Sequence, residues 1–299
     1  MDVAVSGSHG FIGSALLQGL TAAGHRPRPL VRGQVGAEGG IAWDPEGGTI
    51  DAAALEGLDA VVHLAGVGIG DKRWTPEQKE RIRGSRVKGT ALLARTLAGL
   101  VSPPRVLVSG SAVGYYGDRG DEILTEDSSP GDDFLAEVVR AWEDATAPAA
   151  DAGIRVVRLR SGIVQSPDGG VLKKQLPLFK LGLGGPLGSG RQWVSWVSMD
   201  DEIGAILHAL TAEDLAGPVN ATAPQPVTGA ALAKALGKAL HRPAVLPVPR
   251  AVLRVVLGRQ MADEMVTSGQ RAVPARLQAS GYSFRHPEAE AAMAAMLRG

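Results

Sequence analysis

Three glycines near the start of the chain, Gly7, Gly10 and Gly13, follow the spacing Gly-x-x-Gly-x-x-Gly. That spacing suits a backbone that turns sharply from strand to helix while passing close to a pyrophosphate, with no side chain in the way. A helix opening at Phe11 and Ile12 would aim unpaired N–H groups and a partial positive charge at phosphate oxygens. The flanks supply both elements. Val3-Ala4-Val5 is a short apolar run, and Ile12, Ala15, Leu16, Gly19 and Leu20 recur at helical spacing up to Gly24, a suitable helix terminator. The loop therefore reads as a dinucleotide site rather than as a structural turn alone.

The end of the second strand selects the nucleotide. Pro29-Leu30-Val31-Arg32 is an apolar run closed by a guanidinium, and neither Asp nor Glu occurs between Gly13 and Ala37. An NAD site usually places an acid there for the ribose hydroxyls, whereas arginine suits the 2′-phosphate of NADP. Val31 and Arg32 are accordingly assigned to the cofactor, with NADP preferred to NAD.

These residues need a scaffold, and the pattern of the chain supplies one. Asp59 to Gly66 reads as a buried strand running into a glycine turn. Thr75-Pro76 opens a helix to about Leu100, with Thr as the N-cap and Pro at the first helical position. A strand at 105–109, a helix at 132–152 and a strand at 154–159 follow. Strands alternating with helices predict an α/β fold, a parallel sheet covered on both faces. After Arg160 the texture becomes glycine-rich. The division expected is a nucleotide-binding domain over 1–165, with later segments returning to the sheet, and a smaller C-terminal substrate lobe over 166–299. Its last part, about 248–297, is a helical extension.

Composition narrows the function classes. Lys plus Arg equals Asp plus Glu, so there is no electrostatic case for nucleic acid or an anionic membrane as partner. Cysteine is absent, which excludes disulfides and thiolate chemistry, and the six His lack ligand spacing, so no metal is expected. No apolar run approaches the roughly 18 residues of a membrane span, and no secretory signal opens the chain. A cytoplasmic protein with a small-molecule substrate is the expectation. Asp200-Asp201 reads as a helix cap, and His9 and His63 as structural residues.

Longer motifs carry a family resemblance. Leu64-Ala65-Gly66 joins the glycine loop, and Lys72-Arg73-Trp74-Thr75, Gly84-Ser85-Arg86, Gly114-Tyr115-Tyr116-Gly117, Arg160-Ser161-Gly162-Ile163-Val164 and the run from Leu181 to Gln192 accompany them. With these the chain resembles the extended or atypical short-chain dehydrogenases/reductases, in the epimerase-family subgroup of the mammalian 39U member. The resemblance covers nearly the whole chain, including Gly258-Arg259-Gln260 and Gly281-Tyr282-Ser283-Phe284 of the extension. It implies a Rossmann-like doubly wound sheet with NADP in the first lobe. Leu64 and Ala65 would line the adenine and ribose side. Arg86 falls at a cofactor-contacting arginine of the subgroup, where the wider superfamily usually has Asn. A homodimer through the helices at 75–100 and 132–152 is also implied.

The same resemblance implies hydride transfer assisted by Ser, Tyr and Lys, the Lys making the phenol a usable base near neutral pH. Ser109-Gly110-Ser111-Ala112 ends a strand where the superfamily keeps its Ser; Ser111 is the better match for it, with Ser109 on the cofactor side. The Tyr-x-x-x-Lys pair is missing: counting back from Glu143 puts Leu135 and Val139 at its positions. Tyr115 and Tyr116 are the candidate replacements, against the plainer reading of aromatic walls. Two functions remain open, an NADP-dependent oxidoreductase or epimerase with a non-standard proton donor, and a non-catalytic NADP(H)-binding regulator or sensor.

Overall fold

The computed structural model describes residues 1–33 and 40–297. Eight strands form the central sheet: β1 (Asp2–Ser6), β2 (Arg26–Val31), β3 (Ile41–Asp44), β4 (Thr49–Ile50), β5 (Ala60–His63), β6 (Val106–Ala112), β7 (Arg155–Ser161) and β8 (Gly217–Ala221). Their spatial order is β8-β7-β6-β5-β1-β2-β3-β4. Every pairing is parallel except that of β4 with β3. The fold is thus a Rossmann-like, doubly wound α/β sheet, and its last strand in one direction, β8, comes from beyond residue 165.

Alternation along the strands explains why both faces are covered. Val3, Val5, Val62 and Val108 point into one core with Leu16, Leu20 and Ile206. Ala4, Val61 and Leu107 point into the other with Leu30, Leu93 and Leu97. All are essentially buried, as strands sandwiched between helical layers require. Helices α1 (Phe11–Ala22) and α6 (Met199–Thr211) cover the first face, drawn together at Gly19, where a Cβ would lie 2.6 Å from Ile203 Cγ2. Helix α2 (Pro76–Ala98) covers the second, and its N-cap Thr75 accepts from the Gln78 amide at 3.2 Å.

Two elements differ from expectation. The helix expected over 132–152 is broken into α3 (Phe134–Asp144) and α4 (Ala147–Asp151). Pro148 has no N–H to return to the preceding turn, and the Thr146 hydroxyl donates to the Glu143 carbonyl at the break. The C-terminal extension is not a run of long helices. Short helices at Arg250–Leu257, Ala275–Ala279 and Ala289–Met296 alternate with loops and with Arg271–Ala272, which pairs with Ile123–Leu124. No helix among the described residues is long and apolar enough to cross a membrane.

Candidate functional site

The glycine loop lies between β1 and α1, at the C-terminal edge of the sheet. A Cβ at Gly13 would stand 2.1 Å from the Gly7 carbonyl oxygen, and one at Gly7 would stand 2.7 Å from the Leu64 carbonyl carbon. Gly7 also has a φ of +70°, a conformation open to glycine at little strain. Gly10 is the N-cap of α1 and has no side chain to cap it, so the amides of the first turn, at Phe11, Ile12 and Gly13, meet no capping group. These features fit a dinucleotide pyrophosphate.

A buried network holds the facing loop. Ser6 Oγ accepts from the amides of Leu64 (3.1 Å) and Ala65 (3.3 Å). Its own proton therefore goes to His63 Nδ1 at 2.6 Å, which leaves Nε2–H to donate to Thr90 Oγ1 at 2.9 Å. Burial lowers the His63 pKa to about 4, so the ring is neutral, as this pattern requires. Further along, Arg86 donates to the carbonyls of Val67 (2.9 Å) and Ile82 (3.1 Å), and its guanidinium lies over Trp142, against Gly66. Burial lowers its pKa to about 10, still well above neutrality. Arg32 stands just beyond β2 and lines a cavity of about 490 Å³ with Gly33, Trp43, Asp44, Thr49 and Asp51.

Ser109 and Ser111 lie on β6, and Ser111 ends in a second buried network. Its hydroxyl donates to Glu143 Oε1 at 2.6 Å. Glu143 receives both arms of Arg160, at 2.7 and 2.9 Å, and neither partner is more than 5% exposed. Arg160 Nη1 donates to the Tyr116 hydroxyl at 3.0 Å, and that hydroxyl donates to Asn220 Oδ1 at 2.7 Å. Burial pushes the Tyr116 phenol up to about 12. The Tyr115 ring rests on the Arg160 guanidinium, 3.4 Å from centroid to Cζ. A polar cavity of about 350 Å³ borders this network at Tyr115, Glu143 and Arg160, and no glycine-loop residue lines it.

The extension closes the same edge of the molecule. Met265 Cε lies 3.4 Å from where a Gly70 Cβ would be, with Met261 Cε at 4.0 Å. Arg73 donates to the carbonyls of Val255 and Val256. Lys79 donates to Gln260 Oε1 at 3.1 Å, and Gln260 donates to Glu264 Oε1 at 2.7 Å. Across the edge Gln192 donates to the Val266 carbonyl at 3.2 Å and Gln270 to that of Gly117 at 3.0 Å. Residues 255–270 thus bridge from the loop after β5 to Gln192 and Gly117.

A model described as the NAD dependent epimerase/dehydratase family matches residues 3–221. The chain belongs to that family. A domain of unknown function (DUF1731) matches residues 248–296, the segment that forms the bridge. Among members of this epimerase family, the Mycobacterium tuberculosis protein MT2273 is 44% identical over 284 residues, 95% of this chain and 93% of its own. Human SDR39U1 (isoform 2), crystallised with NADPH, superposes with a TM-score of 0.92 at 39% identity over 99% of both chains. A nucleoside-diphosphate sugar epimerase from Corynebacterium glutamicum has a TM-score of 0.81 at 39% identity, over 99% of this chain and 58% of that one.

The first two turns of α3 carry apolar residues at the places expected for the Tyr-x-x-x-Lys pair. Leu135 packs near Gly114, 3.6 Å from its would-be Cβ, and Val139 is buried, so neither phenol nor amine occupies the positions of the missing pair. The structure gathers Ser111, Tyr115 and Tyr116 at one network; Arg32 stands apart at the far end of the cofactor edge. Ser6, Thr90 and Asn220 do not stand out in the sequence. Each is a lone polar residue whose partner is 27 or more positions away, and no local pattern marks it.

Proposed function

We propose that the chain binds NADP(H) along the glycine loop and uses it to oxidise or reduce a small carbonyl or carbinol compound, without a Tyr-x-x-x-Lys pair. The carrying observation is the loop itself, where side chains are barred at Gly7 and Gly13 and the first amides of α1 lack a cap. In this reading Gly10, Phe11 and Ile12 face the pyrophosphate, and Leu64, Ala65 and Gly66 border the adenosine half. Val31 and Arg32 take the 2′-phosphate. Arg86 holds the loop that carries Gly66, and Ser109 borders the cofactor beside Ser111. The NADPH in the crystal of human SDR39U1 supports this choice of cofactor.

A bound reduced nicotinamide supplies a hydride to a carbonyl carbon. The chain itself must orient the substrate and move one proton. Ser111 gives its proton to Glu143, so toward a substrate its Oγ offers a lone pair that can accept from a substrate hydroxyl. Tyr116 is a poor proton carrier, since its hydroxyl is taken by Asn220 and Arg160 and burial holds its proton on. Among the described residues no hydrogen bond engages the Tyr115 hydroxyl, which makes it the phenol of the pair open to proton exchange.

NADPH oxidation over a panel of aldehydes, ketones and quinones tests this, with Tyr115→Phe beside the parent protein. Removing a general acid should lower turnover about a hundredfold while NADPH affinity is kept. Full activity in Tyr115→Phe would remove it from the mechanism. A second reading, a non-catalytic NADP(H) sensor, is favoured by Leu135 and Val139 at the positions of the acid–base pair. Tight NADPH binding with no turnover across the panel would select it.

A further inference from the structure

His63 is the last residue of β5 and is fully buried. Strands β1 and β5 run parallel, and their register sets Ser6 opposite His63 at the C-terminal end of both. The chain leaves β1 into the glycine loop and leaves β5 into Leu64, Ala65 and Gly66. These two segments meet backbone to backbone. A Cβ at Gly7 would lie 2.7 Å from the Leu64 carbonyl carbon and 2.9 Å from the Ala65 amide nitrogen. Whatever holds the amides of Leu64 and Ala65 therefore fixes the wall that faces the glycine loop.

Hydrogen-bond direction leaves one arrangement. The Ser6 hydroxyl oxygen has two lone pairs, and the amides of Leu64 and Ala65 occupy both. The Leu64 amide is shared with the Ser6 carbonyl at 3.3 Å, whereas the Ala65 amide depends on the hydroxyl. The one Ser6 proton then needs an acceptor, and His63 Nδ1 stands 2.6 Å away. A ring nitrogen accepts only without a proton of its own, so the ring is the Nε2–H tautomer, donating to Thr90 Oγ1 at 2.9 Å. Burial keeps the ring neutral. Without an acceptor at position 63, the Ser6 proton must turn onto a lone pair that an amide now uses. The ring also packs edge to face on Trp43, at 5.9 Å and 87°, and Trp43 lines the cavity that Arg32 enters. Gly89 lets α2 close on both, since its Cβ would lie 3.7 Å from Trp43 and 3.8 Å from His63 Cε1.

We infer that His63 is a positioning residue for the cofactor: through Ser6, its Nδ1 lone pair holds the Leu64–Ala65 backbone where the dinucleotide needs it. This rests on the glycine loop being the NADP site and asks nothing of the chemistry that follows. The acceptor at Nδ1 is the feature that matters, and the Nε2–H bond to Thr90 only orients the ring. A side chain that supplies the acceptor should therefore preserve binding even where it packs less well.

Two carboxamides separate these roles. His63→Asn puts an oxygen where Nδ1 stands but does not reach Thr90. His63→Gln reaches Thr90 and leaves the Ser6 proton without its acceptor. The asparagine also leaves the larger void, so His63→Asn should be the less stable of the two in urea unfolding. Calorimetric titration of the full chain with NADP should rank them the other way. His63→Asn should bind within about threefold of the parent, and His63→Gln about tenfold more weakly, the worth of one hydrogen bond. Ser6→Ala, which removes the acceptor of the Ala65 amide, should lose about as much and carries the test if His63→Gln does not fold. Parent-like affinity in His63→Gln or Ser6→Ala, or affinities that follow the unfolding midpoints, would overturn the inference and leave the cofactor site standing. A parent that does not bind NADP would remove both.

Discussion

Glu202 gives the sharpest test of how this interior is built. It lies in the first turn of α6 and is fully buried. The Ser161 hydroxyl donates to its Oε1 at 2.5 Å, and its Oε2 has no hydrogen-bond partner among the described residues. Burial raises its pKa from 4.5 to about 7, with the Ser161 bond opposing. Between those values the folded state keeps a proton that the unfolded chain releases, so stability falls as pH rises through the window. At about 1.4 kcal/mol per pH unit the penalty reaches about 3 kcal/mol above pH 7. Glu202→Gln removes the titration. The difference in urea unfolding free energy between the Glu202→Gln variant and the parent should therefore shift by about 3 kcal/mol in the variant's favour from pH 4.5 to pH 8. The parent curve alone would hide this. His63, lowered by burial from 6.5 to about 4, loses stability in the opposite sense as pH falls, over nearly the same range. Only the difference between variant and parent isolates Glu202. A difference that does not change with pH would refute the reasoning.

Three other outcomes follow from the same contacts. Arg160→Met strands the Glu143 carboxylate in the interior and should cost about 3–5 kcal/mol, measured by denaturant unfolding; an unchanged midpoint would contradict the network. Gly13→Ala drives a methyl into the Gly7 carbonyl and should abolish NADP binding in calorimetry, whereas Gly24→Ala, strained by its φ of +76° but with nothing within 4 Å, should be destabilised and still bind. His63→Gln should flatten the acid-side loss of stability between pH 6.5 and 4, seen as a smaller drop in thermal midpoint than in the parent.

Much of the fold can be read along the chain because local signals agree. The apolar run Val3–Val5, the glycine loop and the Thr75-Pro76 cap each announce their element within a few residues. The Asp200-Asp201 pair reads as a cap, but the N-cap of α6 is Ser198, whose hydroxyl accepts from the Asp201 amide at 3.0 Å, and Asp201 instead receives the amides of Arg285 and His286, tying the extension to α6. The break before Pro148 escapes the pattern although the proline is in plain view, because the apolar spacing continues through it. Glu143 and Arg160 lie on different elements, and only the β6–β7 register, which sets Ser111 opposite Arg160, brings them to one serine. The bridge made by residues 255–270 is a product of tertiary packing: nothing in the spacing of Gln260, Met261 and Met265 tells which loop they will meet.

In the reading proposed above, a nicotinamide dinucleotide with a 2′-phosphate binds on the glycine loop and is recognised by Arg32. Calorimetric titration of the parent and of Arg32→Ala with NADP and with NAD tests it most directly. The parent should prefer NADP, and Arg32→Ala should lose about ten- to a hundredfold in NADP affinity, the worth of a charge-assisted hydrogen bond, with NAD affinity unchanged. Equal affinity of the parent for the two nucleotides, or an NADP preference that survives in Arg32→Ala, would contradict it.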